Sequence, residues 1–255
     1  MKAIVNRYLD RLCSLTGEKD PRVATTAFVR SRRTPGEPLH ALAARLGISR
    51  IIEEPLPFDG GLFQLPHGEL VVKLKAKSPP VRKRFTLAHE IGHLLLGDMS
   101  GRRMACQSDP ALERACDSIA AELLMPAEEA VPFIKGLGSP CPQKLGLIAS
   151  RFRVSRHVAA IRVSDDFRLW KCCIGLWEWQ GAVQTMWFVG ERRWDVAEPD
   201  SYSLQLAVDS TEPVRTTAQW QRGGFTEQVW LNLLNIGSNR GTGANRVLGL
   251  VAFVQ

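Results

Sequence analysis

Arg84-Phe85-Thr86-Leu87-Ala88-His89-Glu90-Ile91-Gly92-His93-Leu94-Leu95-Leu96-Gly97-Asp98 is a largely apolar helical run that carries His-Glu-x-x-His. At helical pitch the two imidazoles rise from one face, one turn apart, with about 6 Å between their roots. That spacing suits a single zinc ion. Neutral imidazole nitrogens bind zinc, and Glu90, directly after the first histidine, lies beside the metal, where it can take a proton from water as a general base. An accidental copy of the motif would sit on a solvated helix face. Here small Ala88 and Gly92 flank it, and Leu94 to Leu96 continue it as a buried helix.

A catalytic zinc site needs a third protein ligand and keeps a fourth position open. Downstream, Asp109 to Pro126 reads as a second helix, with Asp109 or Ser108 as N-cap, Pro110 in the first turn and Pro126 as stop. Glu113 and Asp117 share one face of it, beside an apolar stripe of Leu112, Cys116, Ile119, Ala120 and Leu123. Glu113 follows His93 by 20 residues (113 minus 93), enough for a turn and the return of an antiparallel helix. Glu113 is therefore the expected third ligand. Asp117, one turn on, is placed to accept the second ring N–H of a zinc-bound histidine and fix its tautomer. Glu122 and Asp98 are the rivals for the third position. Glu122 reads better as a surface carboxylate, and Asp98, past Gly97, as a helix-end residue.

These two blocks, His89-Glu90-x-x-His93 within Arg84 to His93 and Glu113-x-x-Cys116-Asp117 running on to Leu124-Met125-Pro126, resemble the ImmA/IrrE family of metallopeptidases. Leu42 to Ile48 resembles the family's opening helix, and Ile148 to Arg162 its closing helical pair. The resemblance covers about residues 37–164. It departs at Cys116, where the family more often has Ala, and Asp117 stands where Asn or Asp is usual. It implies cytoplasmic cleavage of a transcriptional repressor, typically one with its own helix-turn-helix, in stress responses or mobile genetic elements.

Composition agrees with a globular chain. With 255 residues and 45% hydrophobic content, one or two domains with a core are expected. The net charge of +7 is carried by dispersed Lys and Arg, densest at Arg30-Ser31-Arg32-Arg33 and Arg82-Lys83-Arg84. Such charge suits an acidic or nucleic-acid partner, or simply a hydrated surface. No run of about 18 apolar residues exists and Met1 to Tyr8 turns polar too soon for a signal peptide, so a cytoplasmic protein with no membrane partner is expected. Six cysteines without Cys-x-x-Cys pairing read as reduced, mostly buried thiols.

In chain order, residues 4–15 predict a docking helix with Ile4, Val5, Tyr8, Leu9 and Leu12 on one face, ended before Pro21. Arg30 to Pro38 reads as a basic linker. Glu37 to Leu46 predicts a helix, Ile48 to Glu53 a strand, and Gly61 to Leu65 with Glu69 to Leu74 a hairpin whose turn is Pro66-His67-Gly68. His67 reads as a solvated turn residue. The hairpin's edge could receive substrate backbone as an added strand. Ser78 is the expected cap of the His-Glu-x-x-His helix. Residues 143–163 form a helix-turn-helix-like pair, in which an exposed Arg156, His157 and Arg162 would favour DNA contact, while Val158, Ile161 and the alanines favour packing.

Beyond Ser164 the composition changes, and all seven tryptophans lie there. Strands are predicted at Phe167 to Leu176, Ala182 to Val189, Tyr202 to Val208, Val214 to Trp220 and Val247 to Val254, with a helix from Thr226 to Ile236. Some members of the resembled family carry a GAF-type sensor here; an interaction module with core tryptophans is the other reading.

The expected fold is therefore α+β. Residues 1–36 give a helix and basic linker, 37–164 a mainly helical zincin-like peptidase with a small sheet, and 165–255 a Trp-rich β-containing sensor or interaction domain. The expected function is zinc-dependent proteolysis of a repressor, with zinc on His89, His93 and Glu113, Glu90 as base and Asp117 behind a ligand. Tyr8, Tyr202, His67, His157 and the arginines stay open as oxyanion partners. The alternatives are a DNA-binding or ligand-sensing regulator with a dormant peptidase core, and a module that sequesters a repressor without cutting it.

Overall fold

The computed structural model describes residues 7–97, 109–190, 199–222 and 225–253. Ile4, Val5, Asp98, Cys106, Ser108 and Trp194, invoked above, lie outside the described residues, as does the side chain of Trp220. The fold is mixed α and β with two separate sheets. One unit gathers residues up to 129 with 152–154, and the other gathers 130–151 with the chain from 155 onward.

The first unit begins with α1 (Arg7–Thr16) and α2 (Pro21–Arg32), both packed on the helix that carries Glu113. The second of these was missed in the sequence. Pro21 does not end a helix but starts one: Asp20 caps it by accepting from Arg22 N at 2.9 Å, and Ala24, Thr25, Phe28 and Val29 are buried. Only 33–38 of the expected linker are loop; its first three residues are helical. Arg30 and Arg32 occupy the last turn of α2, where cations suit the helix dipole, and the Arg33 guanidinium donates to Leu123 O at 3.0 Å.

Next come α3 (Leu39–Arg45), β1 (Ile48–Glu54), β2 (Gly60–Gln64) and β3 (Leu70–Lys75). β2 and β3 form the expected antiparallel hairpin, with Leu62 opposite Val72. Gly68 supplies the positive φ of 91° that the turn requires, and its N–H donates to Leu65 O at 2.8 Å. β1 joins β3 in parallel, so the order is β1-β3-β2 and β2 stands at an edge. Alternation places Leu62, Val72 and Leu74 on the face packed against α4 (Pro80–Leu95), while Val71 is buried on the opposite face. Ser78 is not its cap. Pro79 holds the cap position without a side-chain bond, while the Ser78 N–H donates to Lys75 O at 3.0 Å.

α4 lies against α5 (Pro110–Leu124), whose cap is Asp109, accepting from Ala111 N at 2.9 Å. Gly92 sets how near the two helices come. A Cβ at that position would stand 3.1 Å from Cys116 Cα and 3.3 Å from its Cβ and O, so a larger side chain would drive them apart. Glu122, expected on the surface, is buried at 3% exposure. It accepts from Thr26 Oγ1 at 3.1 Å and from Ala127 N at 2.9 Å, capping α6 (Ala127–Gly136). A carboxylate at a helix N-terminus with two donors tolerates burial, which periodicity alone could not reveal.

α7 (Pro142–Phe152), all but its last residue in the second unit, and α8 (Arg156–Ile161) stand where the helical pair is expected, with Ser155 capping α8. A single wide turn, Arg162–Asp166, follows, and the chain folds back on it through Leu169 N to Val163 O at 2.9 Å. The first strand therefore starts later than expected. The sheet comprises β4 (Cys173–Trp179), β5 (Val183–Val189), β6 (Val214–Arg222), β7 (Phe225–Ser238) and β8 (Asn245–Phe253), in the antiparallel order β5-β4-β8-β7-β6.

Two assignments here reverse. Thr226 to Ile236 is strand β7: buried Val229, Leu231 and Leu233 alternate at period two, a pattern hidden among leucines that also suit a helix. Tyr202 to Val208 lies in helix α9 (Ser201–Asp209), whose cap Asp200 accepts from Ser203 N at 2.8 Å. Leu204 and Ala207 of α9 pack on the sheet face formed by Cys173, Trp177, Trp179, Val229, Leu231, Leu233, Val247 and Val251. Trp177 fits only because Gly249 is bare: a Cβ there would come 2.6 Å from its ring.

Among the described residues no helix is long and apolar enough to cross a membrane. Gly92→Leu should overpack the α4–α5 contact and lower stability by about 1–3 kcal/mol, read as a urea midpoint shift at constant slope.

Candidate metal centre

Four side chains from α4 and α5 meet where Gly92 lets the helices close. His89 Nε2 and His93 Nε2 stand 3.2 Å apart, His89 Nε2 lies 3.0 Å from Glu113 Oε2, and His93 Nε2 lies 3.9 Å from Glu113 Oε1. Behind His89, its Nδ1 is 2.9 Å from Asp117 Oδ1. With Nδ1–H donated to Asp117, the Nε2 lone pair points at another imidazole nitrogen and at a carboxylate oxygen. Two imidazole nitrogens and a carboxylate converging in this way can be held together by a shared ring N–H or by a metal cation between them. Zinc–nitrogen bonds of 2.0–2.1 Å in a tetrahedron separate donors by about 3.3 Å, close to the spacing found. The residues fit a divalent metal.

The electrostatics point the same way. Burial by itself would push His89 down, but the Asp117 hydrogen bond and the negative charges of Glu90, Asp117 and Glu113 hold it above its ordinary value. Glu90 is buried at 6% exposure. Burial, with help from Glu113, raises its carboxyl to about 7, against the pull of the His89 charge and of the Leu62 N–H, which donates to Glu90 Oε2 at 3.0 Å. Leu62 lies at the β2 edge, so the backbone of that strand aims the carboxylate. Nothing in the sequence signals this contact, which spans 28 positions.

The structure brings His89, His93, Glu113 and Asp117 together, with buried Glu90 next to His89 in the chain. His67 does not join them; it is exposed and lies 2.8 Å from Glu69 Oε2. His157 stacks on Trp187 at 4.9 Å between ring centroids, and Arg162 is buried at 4% exposure with Asp166 at 2.9 Å. Tyr202 is 72% exposed on α9. A second donor set shares the histidines: His89, His93 and Cys116 offer ligand atoms all within 4.8 Å of one another. The sequence places Cys116 on the apolar stripe of α5, which signals a core position and no ligand.

Comparison with known proteins gives a consistent picture. Residues 43–164 match the IrrE N-terminal-like domain. The chain is 31% identical over 143 residues to the radiation response metalloprotease IrrE of Deinococcus radiodurans, covering 52% of this chain and 42% of that protein. It is 34% identical over 138 residues to the protein of the same name from Deinococcus deserti, covering 51% of this chain and 48% of that one. The match thus spans less than half of either relative. A Mycobacterium tuberculosis transcriptional regulator shares the fold, with a TM-score of 0.61 at 15% identity over 97% of this chain and 81% of that one.

The Glu90 shift sets a pH dependence. A carboxyl whose folded pKa is raised from 4.5 to about 7 binds more protons folded than unfolded, so its contribution is present in acid and is lost as pH rises through about 7. In metal-free protein, Glu90→Gln should therefore flatten the urea stability profile. The gain over wild type should be on the order of 2–3 kcal/mol above about pH 8 and small near pH 4.

Proposed function

As a member of the ImmA/IrrE family through residues 43–164, this chain is, we propose, a zinc-dependent endopeptidase that cleaves a protein substrate, a helix-turn-helix repressor being the favoured class. The observation that carries the reading is the convergence of His89, His93 and Glu113 within 3.0 to 3.9 Å, with buried Glu90 beside them. Those three would hold the ion. When bound, zinc supplies Lewis acidity toward water and the scissile carbonyl.

The chain's own residues supply the rest. Glu90, held by the Leu62 N–H, takes a proton from the attacking water and returns it to the leaving amine. Its raised affinity for protons, near neutrality, suits both halves of that task. Asp117 keeps the His89 Nδ1–H in place, so that Nε2 presents a lone pair. The unpaired side of β2 offers backbone groups along which an extended substrate can lie beside Glu90. The DNA-reading alternative is the weaker one, because Arg162, one of its three basic contacts, is withdrawn into an ion pair with Asp166.

The test is incubation of the purified full chain with a helix-turn-helix repressor, with and without a chelator, read by mass spectrometry of the products. Wild type should cut and the chelated protein should not; cleavage that survives chelation would refute a metal mechanism. Glu90→Gln should keep the metal and lose roughly 10²–10⁴ in rate, while His93→Ala should lose both. Asp117→Ala should weaken metal affinity by about 10–100-fold with the ligands intact.

A further inference from the structure

Cys116 is a donor that the proposed reaction leaves unused. It is fully buried on α5, one turn beyond Glu113, and belongs to no disulfide. Its sulfur lies within 4.8 Å of a ring nitrogen on both His89 and His93. The backbone fixes it there, because the Cys116 Cα and Cβ fill the space over Gly92 that brings α4 and α5 together.

We propose that Cys116 Sγ is a fourth protein ligand of the bound metal, so that the resting centre is coordinatively closed by His89, His93, Glu113 and Cys116. This rests on the metal-site reading above. A tetrahedral N–Zn–S arrangement separates nitrogen from sulfur by about 3.6 Å, so an approach on the order of 1 Å from the 4.8 Å bound completes the bond. Rotations of the cysteine and histidine side chains supply such a movement. As the sulfur–metal bond forms, the S–H bond breaks and its proton leaves to solvent. Four protein donors are the pattern of sealed zinc sites, whereas hydrolytic sites keep one position for water. The resting chain is therefore latent, and turnover requires Cys116 to let go. If the thiol merely filled space between two helices, it would behave as a small apolar group with no bond to the metal.

The test loads the full chain with cobalt(II) in place of zinc. Wild type should show thiolate-to-cobalt charge-transfer absorption in the near ultraviolet together with tetrahedral ligand-field bands. Cys116→Ala, which keeps the Cβ against Gly92, should still bind cobalt, lose the charge-transfer band, release the ion sooner to a competing chelator and, with zinc, cut substrate faster. Cys116→Ser provides a second variant should the alanine protein misfold, and it too should lose the band. Bound cobalt with no charge-transfer band in wild type, or a band that persists in both variants, overturns the fourth ligand and leaves the three-ligand site standing. No cobalt binding at all overturns both readings.

Discussion

The close contact of α4 and α5 at Gly92 and Cys116 is the constraint on which the site depends. Two imidazoles on one helix cannot by themselves define a metal position, because their separation fixes only a line of approach. The second helix supplies the third coordinate. Since a Cβ on Gly92 would already meet Cys116 Cα at 3.1 Å, the distance between helix axes is set by backbone rather than by adjustable side chains. Rigid placement of this kind lets Glu113 reach His89 Nε2 at 3.0 Å and lets Asp117 reach the other nitrogen of the same ring, Nδ1, at 2.9 Å.

The sheet contributes a different property. By pressing Leu62, Val72 and Leu74 onto α4, it buries Glu90 and turns one backbone N–H of β2 toward the carboxylate. Burial holds the proton on Glu90 up to about neutral pH, and the single N–H keeps the group oriented without fully stabilising its charge. A more generously solvated or multiply bonded carboxylate would be a weaker base. The strand that aims the base is also the one with an unpaired edge, so substrate alignment and proton transfer share one element.

The site was more legible than the fold around it. Helical spacing alone places His89 and His93 together, and Asp109-Pro110 with Glu113 and Asp117 marks the partner helix, because capping and periodicity are local signals. The Leu62 contact with Glu90 was not legible, since it joins residues 28 positions apart. The buried Glu122 was misread because its partners, Thr26 and Ala127, come from other helices. In the second unit local propensity misled twice. Leucine-rich β7 takes its strand form from pairing with β6 and β8, and α9 owes its helix to the Asp200 cap and a two-residue apolar stripe. The tryptophans divide as well: Trp170, Trp177 and Trp179 are core, whereas Trp230 is 50% exposed.

X-ray absorption at the zinc edge of the metal-loaded full chain tests the central claim most directly. Convergence of the two helices on one ion predicts outer-shell scattering from two imidazoles, with nitrogen and oxygen neighbours at about 2.0–2.2 Å, joined by a sulfur neighbour at about 2.3 Å where Cys116 is bound. A shell of oxygen alone, or one in which the imidazole scattering survives replacement of both His89 and His93 by alanine, would contradict it.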